Sequence, residues 1–309
     1  MTDTFRLLML GAMYENGGNT THRFLDGHPE LFVYPFESQL GTRLVTDHLT
    51  SLFPLKYRWP IFPLDGTPED DYNLIIDEEA KVRARTPFVS KFRDYPFDLS
   101  DDARKEIFIS LVRERGRSTA GNVAAFFEAT FEAWNDYDRS GHESVYVGYS
   151  PILVVDAERI LETMPDSHFL HVVRNPWSAY SDTKKRPVPL SLGAYMTGWT
   201  LNQEVALRTR ERYPDRFHLV RAEDVMADSV AALSGVCNAL EIDPGSDALR
   251  QVSWNGQVLD RVYPWGTIRT PTTEANRATA GELSVAEQNE VRQHAQLSLA
   301  ALGYSDFLG

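Results

Sequence analysis

The chain has 309 residues, of which 42% are hydrophobic and 24% charged. That length and ordinary globular composition suffice for the core of one large domain and exclude wholesale disorder. Lys and Arg number 31 against 44 Asp and Glu, a formal net charge of −13. This excess of acid argues against a general nucleic-acid binder and makes any polyanion pocket a local basic exception.

Cys237 is the single cysteine. No intramolecular disulfide and no cysteine-rich metal site can form, which suits a reducing cytoplasm. The eight histidines show no HExxH-type spacing, so no metal is expected. The first apolar run, Leu7-Leu8-Met9-Leu10, is too short for a signal-peptide core. No stretch approaches the roughly 18–20 apolar residues of a membrane span. The expectation is a cytoplasmic protein without a membrane partner.

In chain order, Leu7 to Leu10 reads as a short buried strand, Gly11 to Asn19 as a loop with Gly11, Gly17 and Gly18, and Thr20 to Gly27 as a helix. Leu31-Phe32-Val33-Tyr34 is a second extended run, closed by Pro35. Residues 54 to 96 are rich in Pro, Asp and aromatics with weak periodicity, and read as an irregular insertion around a substrate mouth. Ser100-Asp101-Asp102 is an N-cap with an acidic first turn. Val123, Phe126, Phe127, Thr130, Phe131 and Trp134 are spaced by three and four, so 123–134 is a helix. Strands follow at 145–149, 169–173 and 217–220, separated by helices at 157–164 and 192–211. A loop within about 255–283 and a helix from Ser284 to Leu302 close the chain. Short buried strands alternating with helices predict an α/β protein with a mostly parallel sheet flanked by helices, in one domain spanning 1–309.

Two segments carry chemistry. Tyr14-Glu15-Asn16-Gly17-Gly18-Asn19-Thr20-Thr21 lies after a strand and before a helix, where backbone N–H groups and the helix dipole can surround a phosphate or sulfate. It is P-loop-like without being a Walker A loop, because the Gly-Lys-Ser/Thr ending is missing. In Val173-Arg174-Asn175-Pro176, an Arg ends a buried strand beside a helix start. That edge is where ligands bind in open α/β sheets, and an Arg fork suits a phosphate. Alone, each segment also reads as an ordinary turn or a surface Arg.

Together they resemble the PAPS-dependent sulfotransferases, most closely the protein-tyrosine and bacterial branch. That branch has a strand, an Arg-Ser-Gly-Thr-Thr loop and a helix ending Leu-Leu-Asp-x-His-Pro; here Phe24-Leu25-Asp26-Gly27-His28-Pro29 matches the ending. Tyr34-Pro35-Phe36-Glu37-Ser38 is similar to the segment with the family's catalytic Glu. Val173-Arg174-Asn175-Pro176, Trp199, Glu223-Asp224, Gly281-Glu282-Leu283-Ser284 and Leu302-Gly303-Tyr304 follow in the family's order. The resemblance implies transfer of a sulfuryl group from PAPS to a hydroxyl or amine of a small-molecule acceptor, with adenosine 3′,5′-bisphosphate as product. It implies Glu37 as general base, with His22 as the next candidate. Asn16, Gly17, Gly18, Asn19, Thr20 and Thr21 would hold the sulfate end of the donor. Arg174, Ser181, Asp182, Arg269 and Arg277 would meet the nucleotide phosphates, the last two from a lid over the donor.

The departures from the pattern are equally specific. Without gaps, the family's loop Arg falls on Glu15, its helper Lys on Tyr149, and its 3′-phosphate Ser on Asp182, next to Ser181. Lys184, Lys185 and Arg186 are near enough in sequence to neutralise Asp182. Two other readings stay open: a transferase of the same fold using another anionic nucleotide donor, and a non-catalytic nucleotide-binding protein.

Overall fold

A computed structural model describes residues 5–259 and 273–308. Its centre is a five-stranded sheet of β1 (Leu7–Ala12), β2 (Leu31–Val33), β3 (Val145–Tyr149), β4 (Ser167–Val173) and β5 (Phe217–Arg221). The order across the sheet is β2-β3-β1-β4-β5, and every pairing is parallel. β1 is buried throughout, as a strand covered on both faces must be. Its side chains alternate between two cores: Leu7 and Met9 join one cluster, Leu8 and Leu10 the other.

Helices α1 (Gly18–Leu25), α9 (Ala222–Ala227) and α10 (Ser229–Ala239) cover the Leu8/Leu10 side. On the Leu7/Met9 side lie α4 (Asp101–Arg115), α5 (Thr119–Ala133) and α6 (Ala157–Thr163). A third cluster packs α7 (Pro176–Lys184) and α8 (Leu192–Arg212) against α11 (Thr273–Gly281) and α12 (Val285–Leu299). The chain runs from β1 toward one edge and from β4 toward the other, so β1 and β4 flank the topological switch point. Ligand clefts open there, at the carboxyl ends of the strands.

The stretch 54–96 is more ordered than its composition suggests. It contains α2 (Pro68–Leu74), started by a capping box between Thr67 and Asp70, and α3 (Glu78–Arg85). These helices are too short to show a periodic stripe; tertiary polar contacts hold them. The fully buried Arg104 reaches Asp77 at 2.8 Å and Asp101 at 2.7 Å. Tyr34 donates to Asp77 at 2.9 Å, and Tyr72 to Asp101 at 2.6 Å. This network ties the insertion to the end of β2, three residues before Glu37. Arg104→Ala would leave the buried Asp77 without its ion-pair partner, a loss of about 3–5 kcal/mol, while Asp101 keeps Arg85.

Candidate active site

The β1–α1 loop is built by close approach on both sides. Gly17 has φ 85, and a Cβ there would lie 2.8 Å from the Cβ of Ala222. A Cβ on Gly18 would lie 2.7 Å from the Tyr149 ring and from the Cβ of Ala12. The two glycines thus let the loop pass between the ends of β3 and β5. Gly17 caps α1 with no side-chain hydrogen bond, so the first N–H groups of this helix point outward uncapped. Such an end suits a phosphate or sulfate oxygen. Asn19 and Thr20 are half-buried at this turn, while the Thr21 hydroxyl is turned back to the Gly17 carbonyl at 3.0 Å.

Asn16 has a different part from the one expected of it. Its side chain is fully buried, and its amide donates to the Tyr14 carbonyl at 2.8 Å and the Tyr195 hydroxyl at 3.0 Å. Its oxygen accepts from the Arg174 backbone N–H at 3.0 Å and from the Trp199 indole at 3.2 Å. Both donors and both acceptor positions are spent on the protein. Asn16 therefore pins the loop to β4 and α8 and offers nothing to a ligand. Trp199, a family landmark in the sequence, acquires a structural reason through that bond.

Arg174 stands at the end of β4, as predicted. Its Nε donates to Asn276 on α11 at 3.0 Å, and its Nη1 to the Glu15 carbonyl at 3.1 Å. Nη1 also reaches Asp182 at 2.8 Å. Asp182 is therefore paired, with Lys185 adding a contact at 3.4 Å. Lys184 instead serves Glu287 at 2.7 Å. Ser181, nearly buried, donates to Glu282 at 3.1 Å, and Lys185 forms an ion pair with the same carboxylate. Next door, Asn175 donates to Glu223 at 2.8 Å from its side chain, and Tyr304 donates to the same carboxylate at 2.7 Å. Three matched segments far apart in sequence thus meet at one point. Arg277 is exposed on α11, directly after Asn276. Arg269 lies outside the described residues.

Glu37 sits beyond β2 and is half-buried. The Gln39 amide donates to it at 3.3 Å and the Tyr57 hydroxyl hydrogen-bonds it. Burial raises its pKa above the ordinary glutamate value; nearby Lys91 and these two hydrogen bonds oppose that shift, and Glu79 adds to it. The Lys91–Glu79 ion pair, at 2.9 Å, joins the end of the insertion to α3. Tyr14 and Tyr57 meet edge-on with centroids 6.3 Å apart. The charge on Glu37 is felt at Tyr14, Tyr57 and Tyr149. Burial is the main reason the Tyr14 phenol is pushed up to about 12, so it stays protonated. From the stretch 54–96, Tyr57, Glu79 and Lys91 thus act on Glu37.

His22 is not at the mouth. Its ring is 1% exposed under α1, with Arg23 2.7 Å from Nδ1. Burial first, and the Arg23 charge second, hold its pKa well below the ordinary value. The neutral ring is part of the packing beneath Tyr149, 5.6 Å away. This corrects its candidacy as a base.

A profile of the sulfotransferase family matches residues 86–245, just over half of the chain. The chain belongs to the sulfotransferase family. The matched span starts after the β1–α1 loop and Glu37, so of the three departures it leaves out Glu15 and includes Tyr149 and Asp182.

In structure the chain is similar to the sulfotransferase domain from the curacin biosynthetic pathway. That likeness has 16% identity and a TM-score of 0.52, and covers 96% of this chain and 99% of that one. It is also similar to the sulfotransferase domain of the Synechococcus PCC 7002 olefin synthase, at 15% identity and TM-score 0.50, covering 96% and 95%. At these identities the likeness shows the fold. No curated protein matches the chain in sequence. Among the described residues no helix is long and apolar enough to cross a membrane, and no group of three or more His, Cys, Asp or Glu could hold a metal.

Proposed function

We propose that the protein transfers a sulfuryl group from a nucleotide 5′-phosphosulfate to a hydroxyl or amine of a small-molecule acceptor. The family resemblance names PAPS as the donor. The observation that carries the reading is the Glu37 carboxylate, held by Tyr57 and Gln39 and with its charge felt at Tyr14 of the β1–α1 loop and at Tyr149, which packs on Gly18. The acceptor atom attacks sulfur in line and its proton passes to Glu37. The bond from sulfur to the 5′-phosphate oxygen breaks, and adenosine 3′,5′-bisphosphate leaves. Positioning and charge stabilisation dominate such a transfer. The Gly17–Gly18 turn would hold the departing phosphate and sulfuryl oxygens, and Arg174 the nucleotide.

One observation favours a second reading, a donor without a 3′-phosphate. Arg174 and Ser181, the residues that would meet that phosphate, are occupied by Asp182 and Glu282. A dianion entering there must displace two carboxylates, whereas a free ribose hydroxyl can donate to Asp182. Calorimetry with adenosine 3′,5′-bisphosphate and with AMP, beside turnover of a sulfur-labelled donor over hydroxyl and amine acceptors, tests both readings. Tighter binding of the bisphosphate with label transfer supports PAPS. Tighter binding of AMP supports the second donor. Binding without transfer to any acceptor marks a non-catalytic protein.

A further inference from the structure

A sulfuryl transfer develops negative charge on the bridging oxygen, and a preorganised cation beside it lowers the barrier. The β1–α1 loop supplies none of its own: Glu15 stands in the loop and Tyr149 packs on Gly18. Four other cations near this edge are engaged. Arg174 is spent on Asn276, Glu15 and Asp182; Lys185 on Asp182 and Glu282; Lys184 on Glu287; Lys91 on Glu79.

Among the described residues the exceptions are Arg277, exposed on α11, and Arg186, and of the two it is Arg186 that contacts the β1–α1 loop. It follows the end of α7, yet its guanidinium lies 4.9 Å from the Tyr14 ring centroid and 3.9 Å from the Glu15 carboxylate. Those two contacts hold it over the loop, and no hydrogen bond to a described residue uses its donors. Its charge reaches both Tyr14 and Tyr149, the two rings that also feel Glu37.

We propose that Arg186 is the catalytic cation for this site, its planar fork meeting the 5′-phosphate and sulfuryl oxygens of the donor across the loop from Glu37. This rests on the sulfotransferase reading. In the transfer, Arg186 neutralises the phosphate oxygen released when the S–O bond breaks, while Glu37 takes the acceptor proton. A guanidinium offers five donors in a geometry matched to such oxyanions. The Glu15 carboxylate, at the long limit of an ion pair, yields the guanidinium to the more highly charged ligand.

The test is a difference between ligands that differ by one 5′-phosphate. Calorimetry measures adenosine 3′,5′-bisphosphate against adenosine 3′-monophosphate, and AMP against adenosine, on the wild type, Arg186→Ala and Arg186→Lys. The pair AMP/adenosine makes the test independent of the donor's 3′ group. In Arg186→Ala the advantage given by the 5′-phosphate should fall at least roughly tenfold, while the ligands lacking that phosphate bind unchanged. Arg186→Lys should keep part of the advantage. Label transfer should fall about 10²–10³-fold in Arg186→Ala. Arg186 is half-exposed, and circular dichroism checks the fold. An unchanged 5′-phosphate advantage in a folded Arg186→Ala protein overturns the proposal. A wild type that binds none of the four ligands overturns the nucleotide reading, and this role with it.

Discussion

Glu37 and Asp182 are carboxylates put to opposite uses. Glu37 is desolvated, and its raised pKa means that the native state keeps its proton to a higher pH than the unfolded chain does. Its contribution to stability is present at low pH and is lost as pH rises through the raised value. Activity runs the other way, because the base works only when deprotonated. The acid limb of the kcat–pH profile should therefore lie above the ordinary glutamate range, and Glu37→Gln should remove that limb. Turnover should fall about 10²–10⁴-fold in Glu37→Gln while nucleotide affinity, read by calorimetry, survives. Asp182 is held in an ion pair with Arg174. Asp182→Ser should leave affinity for adenosine 3′,5′-bisphosphate equal or higher; weaker binding of AMP in the same variant would assign Asp182 to a free ribose hydroxyl. The places of Glu37 beyond β2 and of Arg174 at the end of β4 were legible because their motifs are local. Asp182 was placed by its spacing from Arg174 but not as its ion-pair partner, and the Arg186–Tyr14 contact joins segments more than 170 residues apart and leaves no spacing to read. Asn16 looked like a loop ligand because a buried brace and an exposed ligand have the same sequence.

Elements with strong periodicity or continuous apolar runs were legible: β1, β3, β4, β5, α5 and α8 fall close to their expected spans. The helices α2 and α3 were not, since they are held by Arg104 and its carboxylates rather than by an apolar stripe. The start of α1 was placed two residues late, at Thr20 instead of Gly18. Helix propensity disfavours two adjacent glycines, and only the crowding by Tyr149 and Ala222 explains them. Gly18→Ala should drive a methyl into Ala12 and Tyr149, costing about 1–3 kcal/mol as overpacking does. Urea denaturation should show the loss, and nucleotide affinity should drop with it because the uncapped N–H groups move. An alanine variant with wild-type stability and affinity would show that the loop tolerates a shift.

At the scale of the molecule, the site edge is assembled from every strand but β2, and Glu37 follows β2. Asn175, Glu223 and Tyr304 converge although they lie 48 and 81 residues apart in succession. Tyr304→Phe leaves one Glu223 oxygen without its donor at a largely buried contact, a loss of about 1–3 kcal/mol, and urea midpoints should register it. The α/β class was foreshadowed by alternation of strands and helices; the strand order, with β1 between β3 and β4, is set by packing of helices on both faces and has no local signature. The central claim is that this edge moves a sulfuryl group with Glu37 as base. The most direct measurement is label transfer from sulfur-labelled PAPS and adenosine 5′-phosphosulfate to a panel of hydroxyl and amine acceptors, by the wild type and Glu37→Gln side by side. The account predicts transfer from at least one donor by the wild type and at least a hundredfold less by the variant. Transfer at equal rates by the two proteins, or none by a wild type that binds neither nucleotide, would contradict it.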